Sequence, residues 1–350
     1  MKKHVDNLIV GGGLAGTWLA FRFFQMNKRF ALIDKPGLSI SSSVAAGIIN
    51  PLLPLRQKKS YKADLIYPDL GKKYQQIEDL IRRKVFYDTP VCYIVDDQKT
   101  LNDWSALAGT DPFKEYIIIR DEELSTDIES PFGYLEIRHS GRVDIMAMLD
   151  GFRSVVSEPD YYLDMEFDAG KLIISEEGVI YEDLTADNVI FCQGAAMESN
   201  PFTSGLKLKP AKGEVLSCNS TNTIKSDKII LNGVFMLPLG DGLFRTGSNF
   251  EWNELDYLPT EKAKLDILRR LGSWYKGDCR VTDHRAGIRP SSLDRRPILG
   301  KIPGHDRMYV FNGLGSKGAA LSPYYSDMLS KHIYNISCID PEADISRFFK

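Results

Sequence analysis

The stretch NLIVGGGLAGTWLAFRF, Asn7 to Phe23, admits two readings. Behind Lys2 and Lys3 it has the basic start and apolar middle of a secretion signal. Asp6 and Asn7 interrupt that approach, and the apolar run ends in Phe21-Arg22-Phe23-Phe24 with no small-residue cleavage site after it. The other reading accounts for more residues. Val5, Leu8, Ile9 and Val10 form a short apolar strand, Gly11, Gly13 and Gly16 fit G-x-G-x-x-G, and Leu14 to Gln25 reads as a helix. Gly11 permits the tight turn, Gly13 lets backbone approach a pyrophosphate, and Gly16 lets helix pack close on strand. Phosphate charge then sits against free N–H groups at the helix N-terminus. A second strand, Arg29 to Ile33, ends in Asp34, at the spacing of a carboxylate that grips a ribose hydroxyl. The stretch holds a dinucleotide.

At 350 residues the chain is long for a single core and fits two domains, or one with a large insertion. A net charge of −3 gives no global basic footprint, so nucleic acid and anionic membrane are not default partners. No uninterrupted run of about 18 apolar residues appears, so a spanning helix is not expected. Cys92, Cys192, Cys218, Cys279 and Cys338 are scattered without a C-x-x-C pair, which reads as reduced cytoplasmic thiols and neither disulfides nor a zinc cage. The five histidines show no ligand spacing, and no metal is expected.

The rest of the chain bears on whether the dinucleotide is a nicotinamide or a flavin. A nicotinamide domain normally completes itself with contiguous βα units. Here the pattern dissolves after Gly37 into SISSSVAAGIINPLLP, without helical period and with Pro51 and Pro54 excluding a long helix. That segment reads as a surface loop, or as small residues (Ala45, Ala46, Gly47) that let backbone lie flush against a flat ring. Much later, Val189 to Cys192 gives a buried strand running into Gly194, and Met308 to Phe311 gives another, followed by a Gly-rich turn and a helix. One nucleotide domain assembled from separated segments is expected. Between the segments lie alternating runs such as VCYIV, KGEVLSC and KIILNGVFMLPLGDGLFRTGSNF, whose Asp241-Gly242 pair favours antiparallel strands.

With GGGLAG and Asp34, the SSSVAAGIINP loop, KGEVLSC, GLFRTGSNF, AGIRPSSLDRRPILG (Ala286 to Gly300) and GLGSKGAALSP (Gly313 to Pro323), the chain resembles the D-amino-acid oxidase, glycine oxidase and sarcosine oxidase family over nearly its whole length. Within that family GIRP and GLGSKG resemble the oxidase half of the bifunctional enzyme that finishes a tRNA wobble-uridine side chain. The resemblance implies an α/β fold: a Rossmann-like FAD-binding domain from residues 1–85, 140–205 and 285–350, and a mixed, largely antiparallel substrate domain from 86–139 and 206–284. It implies oxidation of the C–N bond of a carboxylate-bearing amine by hydride transfer to flavin N5, imine hydrolysis and reoxidation by oxygen. FAD is expected to be non-covalent, since no cysteine stands near Ala286-Gly287-Ile288, where relatives tether it. Gly11, Gly13, Leu14, Ala15, Gly16, Asp34, Lys35, Ser42, Ser43, Ala45, Ala46, Gly47, Gly194, Arg289, Gly313, Gly315, Ser316, Lys317 and Gly318 are its expected contacts. Arg289 is expected to hold the substrate carboxylate through paired donors. The helix after Gly318 is expected to aim its positive end at the reduced flavin, with Lys317 adding charge. Arg245 falls roughly where sarcosine oxidases carry a lysine above the flavin that helps oxygen react.

Two departures put free glycine in doubt as substrate: Phe235 stands about where glycine oxidases use a tyrosine, and Ser316 about where they carry an arginine. His284 reads as a loop histidine rather than a base. Trp104, Trp252 and Trp274 read as packing residues. The basic run LRQKKSYK, Leu55 to Lys62, is an exposed segment or a steering patch for an acidic substrate or a tRNA. Besides an amine oxidase, three readings stay open: a tRNA-modifying oxidase, a nicotinamide-linked dehydrogenase and a flavoprotein without turnover.

Overall fold

The structure, a computed structural model, describes residues 3–35, 40–156, 161–221 and 226–349; the turn at Pro36 and Gly37 lies outside them. Strand Lys3–Val10 is central to an eight-stranded sheet, and its last four residues are buried. Ile9 packs with Leu14, Trp18 and Leu19, whereas Leu8 and Val10 join Val189, Phe191 and Val310 in a second cluster. That is the two-residue alternation of a strand covered on both faces. Its parallel neighbours are Phe30–Asp34 and Leu184–Phe191, flanked in turn by Tyr162–Asp164 and Met308–Asn312. Segments from opposite ends of the chain thus close one nucleotide-type sheet. The hairpin Leu172–Ile174 and Val179–Tyr181, and strand Ile298–Lys301, extend it antiparallel.

Helix Leu14–Gln25 is buried along ten of its residues, because the sheet covers one side and helices Ile145–Val155 and Gly318–Ile333 cover the rest. An apolar circumference suits such a helix. Pro323 inside helix Gly318–Ile333 lacks the N–H that would bond the carbonyl four residues earlier, which belongs to Ala319. The Tyr74 hydroxyl donates to that carbonyl at 2.7 Å instead, so the buried oxygen keeps a partner.

The second eight-stranded sheet runs, in spatial order, Arg280–Arg289, Ala211–Asn219, Leu243–Gly247, Val234–Gly240, Ile229–Asn232, Val91–Ile94, Tyr134–Ile137 and Ile117–Arg120. Every pairing is antiparallel except Ile229–Asn232 with Val91–Ile94. Asp241 and Gly242 have φ of 51° and 74°, the left-handed pair that a tight two-residue hairpin requires. Strand Arg280–Arg289 passes residue 285 without a break and carries His284, which is therefore a strand residue and not a loop one. Trp104 and Trp274 are buried, but Trp252 is 54% exposed and stacks on Phe250, so it does not pack in the core.

Where no helix was expected, Ile40–Val44 forms one of five residues. So short a helix cannot stand alone. Arg245 donates to the carbonyls of Val44 and, at 3.1 Å, Ala45, and Ser41 Oγ donates to Ile288 O, so the second sheet holds it. In the basic run, Lys59 pairs with Asp64 and Lys62 with Asp340. No helix among the described residues is long and apolar enough to cross a membrane.

Candidate active site

A cavity of about 790 Å³ is lined at one end by Gly11, Gly13, Asp34 and Lys35 and at the other by Val215, Phe235, Tyr257 and Arg289. Gly11 turns the chain with φ +103°, donating to Ile33 O at 2.8 Å. A Cβ there would lie 2.6 Å from Cys192 O, and one on Gly16 would lie 1.8 Å from Gly11 O. Both glycines therefore exist for close backbone approach. Gly13 is the N-cap and offers no side-chain acceptor, and no acid stands in the first turn. Of these N–H groups, Leu14 takes Ser42 Oγ at 3.3 Å, which leaves a helix start suited to an anion.

Asp34 is buried. One carboxylate oxygen accepts Gly12 N–H at 3.0 Å and the other accepts Arg153 Nη2 at 2.7 Å, while the same Nη2 lies 3.4 Å from Gly12 O. Arg153 so fixes the carboxylate against the glycine turn. It comes from helix Ile145–Val155, and nothing in its sequence context singled it out.

The far end depends on strand Ala211–Asn219. Gly213 and Val215 line the cavity, and the residues between and before them, Glu214 and Lys212, are buried on the other face. A Cβ on Gly213 would lie 2.0 Å from Arg289 Nη2, so the glycine makes room for the guanidinium. Arg289 donates to Ser248 Oγ at 2.6 Å and to the carbonyls of Lys212 and Asn249, both at 3.3 Å, and lies 4.2 Å over the Phe250 ring. Burial pushes its pKa down to about 10, so it remains charged at neutral pH, and the charge favours an anion as neighbour.

Ser248, Phe250 and Tyr257 belong to a strap, residues 248–260, held from behind. Lys212 Nζ meets Asp256 Oδ1 at 2.5 Å, and Glu214 accepts Thr260 N–H at 2.7 Å and Thr260 Oγ1 at 2.9 Å. His284 Nε2 lies 2.9 Å from Glu214, and His284 is not among the cavity's lining residues.

Gly11, Gly13, Leu14, Ala15, Asp34, Lys35, Ser42, Ala45, Ala46, Gly47, Gly194, Arg289, Gly315, Ser316 and Gly318 all line this one cavity. Gly16, Ser43, Gly313, Lys317 and Arg245 are not among its lining residues. Arg245 holds the helix Ile40–Val44 instead, and burial lowers its pKa. Lys317 Nζ donates to Asn50 O at 2.8 Å, and burial pushes its pKa down to about 8. Gly213, Ser248, Tyr257 and Arg153 escaped the sequence reading. Only Gly213, a glycine inside a strong strand pattern, carried a signal of close approach.

The glycine turn, the uncapped helix start and the small-residue segment from Ser41 to Gly47 fit an elongated anionic cofactor with a flat ring, and Arg289 stands beyond the ring's segment. Comparison with known proteins agrees. The family described as FAD dependent oxidoreductase matches residues 6–331. Glycine oxidase of Pseudomonas putida is 24% identical, covering 94% of this chain and 95% of that protein. The tRNA 5-methylaminomethyl-2-thiouridine biosynthesis bifunctional protein of Acinetobacter baylyi is 22% identical, covering 94% of this chain and 53% of that protein. The crystal structure of iminodiacetate oxidase from Chelativorans sp. BNC1 shares the fold with a TM-score of 0.78 at 20% identity, over 96% of this chain and 97% of that one.

Proposed function

The chain belongs to the FAD dependent oxidoreductase family, and from that premise we propose that it oxidises the C–N bond of a small amine bearing a carboxylate, with oxygen as the final electron acceptor. The observation that carries this reading is Arg289, a half-buried guanidinium that lines the cavity beside Phe235 and Tyr257. A substrate carboxylate is the partner that such a fork matches.

FAD, when bound, supplies the two-electron redox chemistry. Gly11, Gly13 and the start of helix Leu14–Gln25 would hold its pyrophosphate, Asp34 its ribose, and Ser42 with Ala45 to Gly47 its ring. We assign residues 1–85, 140–205 and 285–350 to its binding and 86–139 and 206–284 to the substrate. The cofactor is non-covalent. Arg289 fixes the carboxylate, and so the amine's α-carbon, in one place. Ser248 and Gly213 fix Arg289. Phe235, Val215 and Tyr257 exclude water from the reacting carbon until its electrons have left. With Phe235 and Ser316 in the cavity, an N-substituted glycine or another carboxylate-bearing amine fits better than free glycine. Anaerobic addition of such amines to the FAD-loaded protein tests the reading: bleaching of the flavin absorbance by an N-substituted glycine supports it, and no bleaching by any carboxylate-bearing amine rejects it.

One observation favours a second reading. Phe250 and Trp252 stack, centroids 5.9 Å apart, and both are 54% exposed beside Arg289. Such a surface accepts a nucleobase, so the amine would be the carboxymethylamino group of a modified uridine. Bleaching by that nucleoside alone selects this reading.

A further inference from the structure

Two of the scattered cysteines meet in the fold. Cys218 lies near the end of strand Ala211–Asn219, Cys279 precedes strand Arg280–Arg289, and their Sγ atoms are 3.0 Å apart. A slip in register makes this possible. Ser217 pairs with Asp283, but Cys218 pairs with Val281, so Thr282 is the extra residue of a bulge. Without the bulge Cys218 would oppose Thr282, and Cys279 would fall on the other face of the sheet. With it, Cys218 and Cys279 become diagonal neighbours on one face.

Their surroundings divide the roles. Cys218 is buried in the cluster that holds Phe244 and Tyr275, whereas Cys279 is partly exposed. Once Cys279 ionises, the Cys218 thiol donates to its sulfur. That bond draws the Cys279 pKa below the ordinary thiol value and raises that of Cys218. Cys92 and Cys192 are buried apart, and burial raises both thiols.

We propose that Cys218 and Cys279 are a modification site, a peroxide-reactive pair that closes to a disulfide with Cys279 attacking and Cys218 resolving. The Cys279 thiolate attacks one oxygen of hydrogen peroxide; the O–O bond breaks, Cys279 becomes a sulfenic acid, and the departing hydroxide takes a proton to become water. The Cys218 sulfur then attacks the sulfenic sulfur. The S–S bond forms, the S–O bond breaks, and the second oxygen leaves as water with the Cys218 proton. The two thiols lose two electrons, and the peroxide is reduced to two waters. A flavin oxidase that uses oxygen yields this oxidant itself. The site stands independently of that reading, because the peroxide is added in the test.

The FAD-loaded protein carrying Cys338→Ser, which removes the exposed competing thiol, is treated with hydrogen peroxide, alkylated and weighed intact, then mapped as unreduced peptides. The expected result is a loss of two hydrogens, a peptide pair joined through Cys218 and Cys279, and reversal by dithiothreitol. In addition, Cys218→Ser leaves Cys279 with one added oxygen that reacts with dimedone, and Cys279→Ser takes up neither. The proposal is overturned if both thiols alkylate after peroxide as fully as before, or if Cys279 passes to the sulfinic acid while Cys218 stays reduced. Both outcomes are read on protein with the resident pair intact, so misfolding of a variant cannot imitate them.

Discussion

The two ends of the cavity are built by different means. At the nucleotide end, Gly11, Gly13 and Gly16 act through backbone and Asp34 through its carboxylate, all on a strand, a turn, a helix and a second strand consecutive in sequence. At the substrate end, Arg289 is set by Gly213 on strand Ala211–Asn219 and by Ser248 and Phe250 on the strap, two segments that meet only when the second sheet forms. The first construction tolerates almost no change in shape. The second can move a side chain and keep its frame.

Matched glycine substitutions probe that contrast with the largest expected effect. Gly16→Ala drives a Cβ into the Gly11 carbonyl, backbone that cannot give way. It is expected to cost at least about 3 kcal/mol and to abolish FAD retention, read from the flavin-to-protein absorbance ratio and the unfolding midpoint. Gly213→Ala meets only the end of Arg289. Fold and FAD content should survive, with amine-driven bleaching slowed about 100-fold. Equal loss of FAD in both variants would end the comparison.

Arg289→Lys sharpens it from the substrate side. Loss of the bidentate fork should lower kcat/KM by about 100-fold in steady-state oxygen uptake, with FAD content unchanged. Arg153→Met is the counterpart at the nucleotide end. Removal of the Asp34 partner should weaken FAD about tenfold in a fluorescence titration of the apoprotein, while bleaching at saturating FAD keeps its rate. An effect on rate and none on affinity would place Arg153 with the substrate machinery.

The smallest effect is a pH dependence. Burial lowers Lys317 from 10.5 to about 8 in the folded chain. Below that window both states carry the proton. Within it the unfolded chain binds more protons than the folded one, so this residue makes stability rise with pH, by at most about 1.4 kcal/mol per pH unit. Urea midpoints measured on either side of the window should show the rise, and Lys317→Met should flatten it.

Sequence legibility follows the same division. The glycine turn, helix Leu14–Gln25 and Asp34 were readable because each constraint spans a few residues. Arg289 was readable only through the resemblance of its surrounding motif. Arg153, Ser248 and Tyr257 were not readable, since their roles arise from contacts between distant segments. The helix Ile40–Val44 was hidden because its stability comes from Arg245 and from the strand it touches through Ile288. The role given to Arg245 rested on the family resemblance, and that of Lys317 on its place at the start of helix Gly318–Ile333. In the structure Arg245 donates to the carbonyls of Val44 and Ala45, and Lys317 to that of Asn50.

The alternation along Ala211–Asn219 separates two jobs that most binding sites combine. Gly213 and Val215 face the cavity, while Lys212 and Glu214 behind them hold the strap at Asp256 and Thr260. The exposed stretch from Trp252 to Leu255 hangs between Glu251, whose backbone pairs with Lys212, and Asp256, like a replaceable cover. Selection, or an engineer, can exchange its length and chemistry to admit a different amine and leave the catalytic wall unaltered.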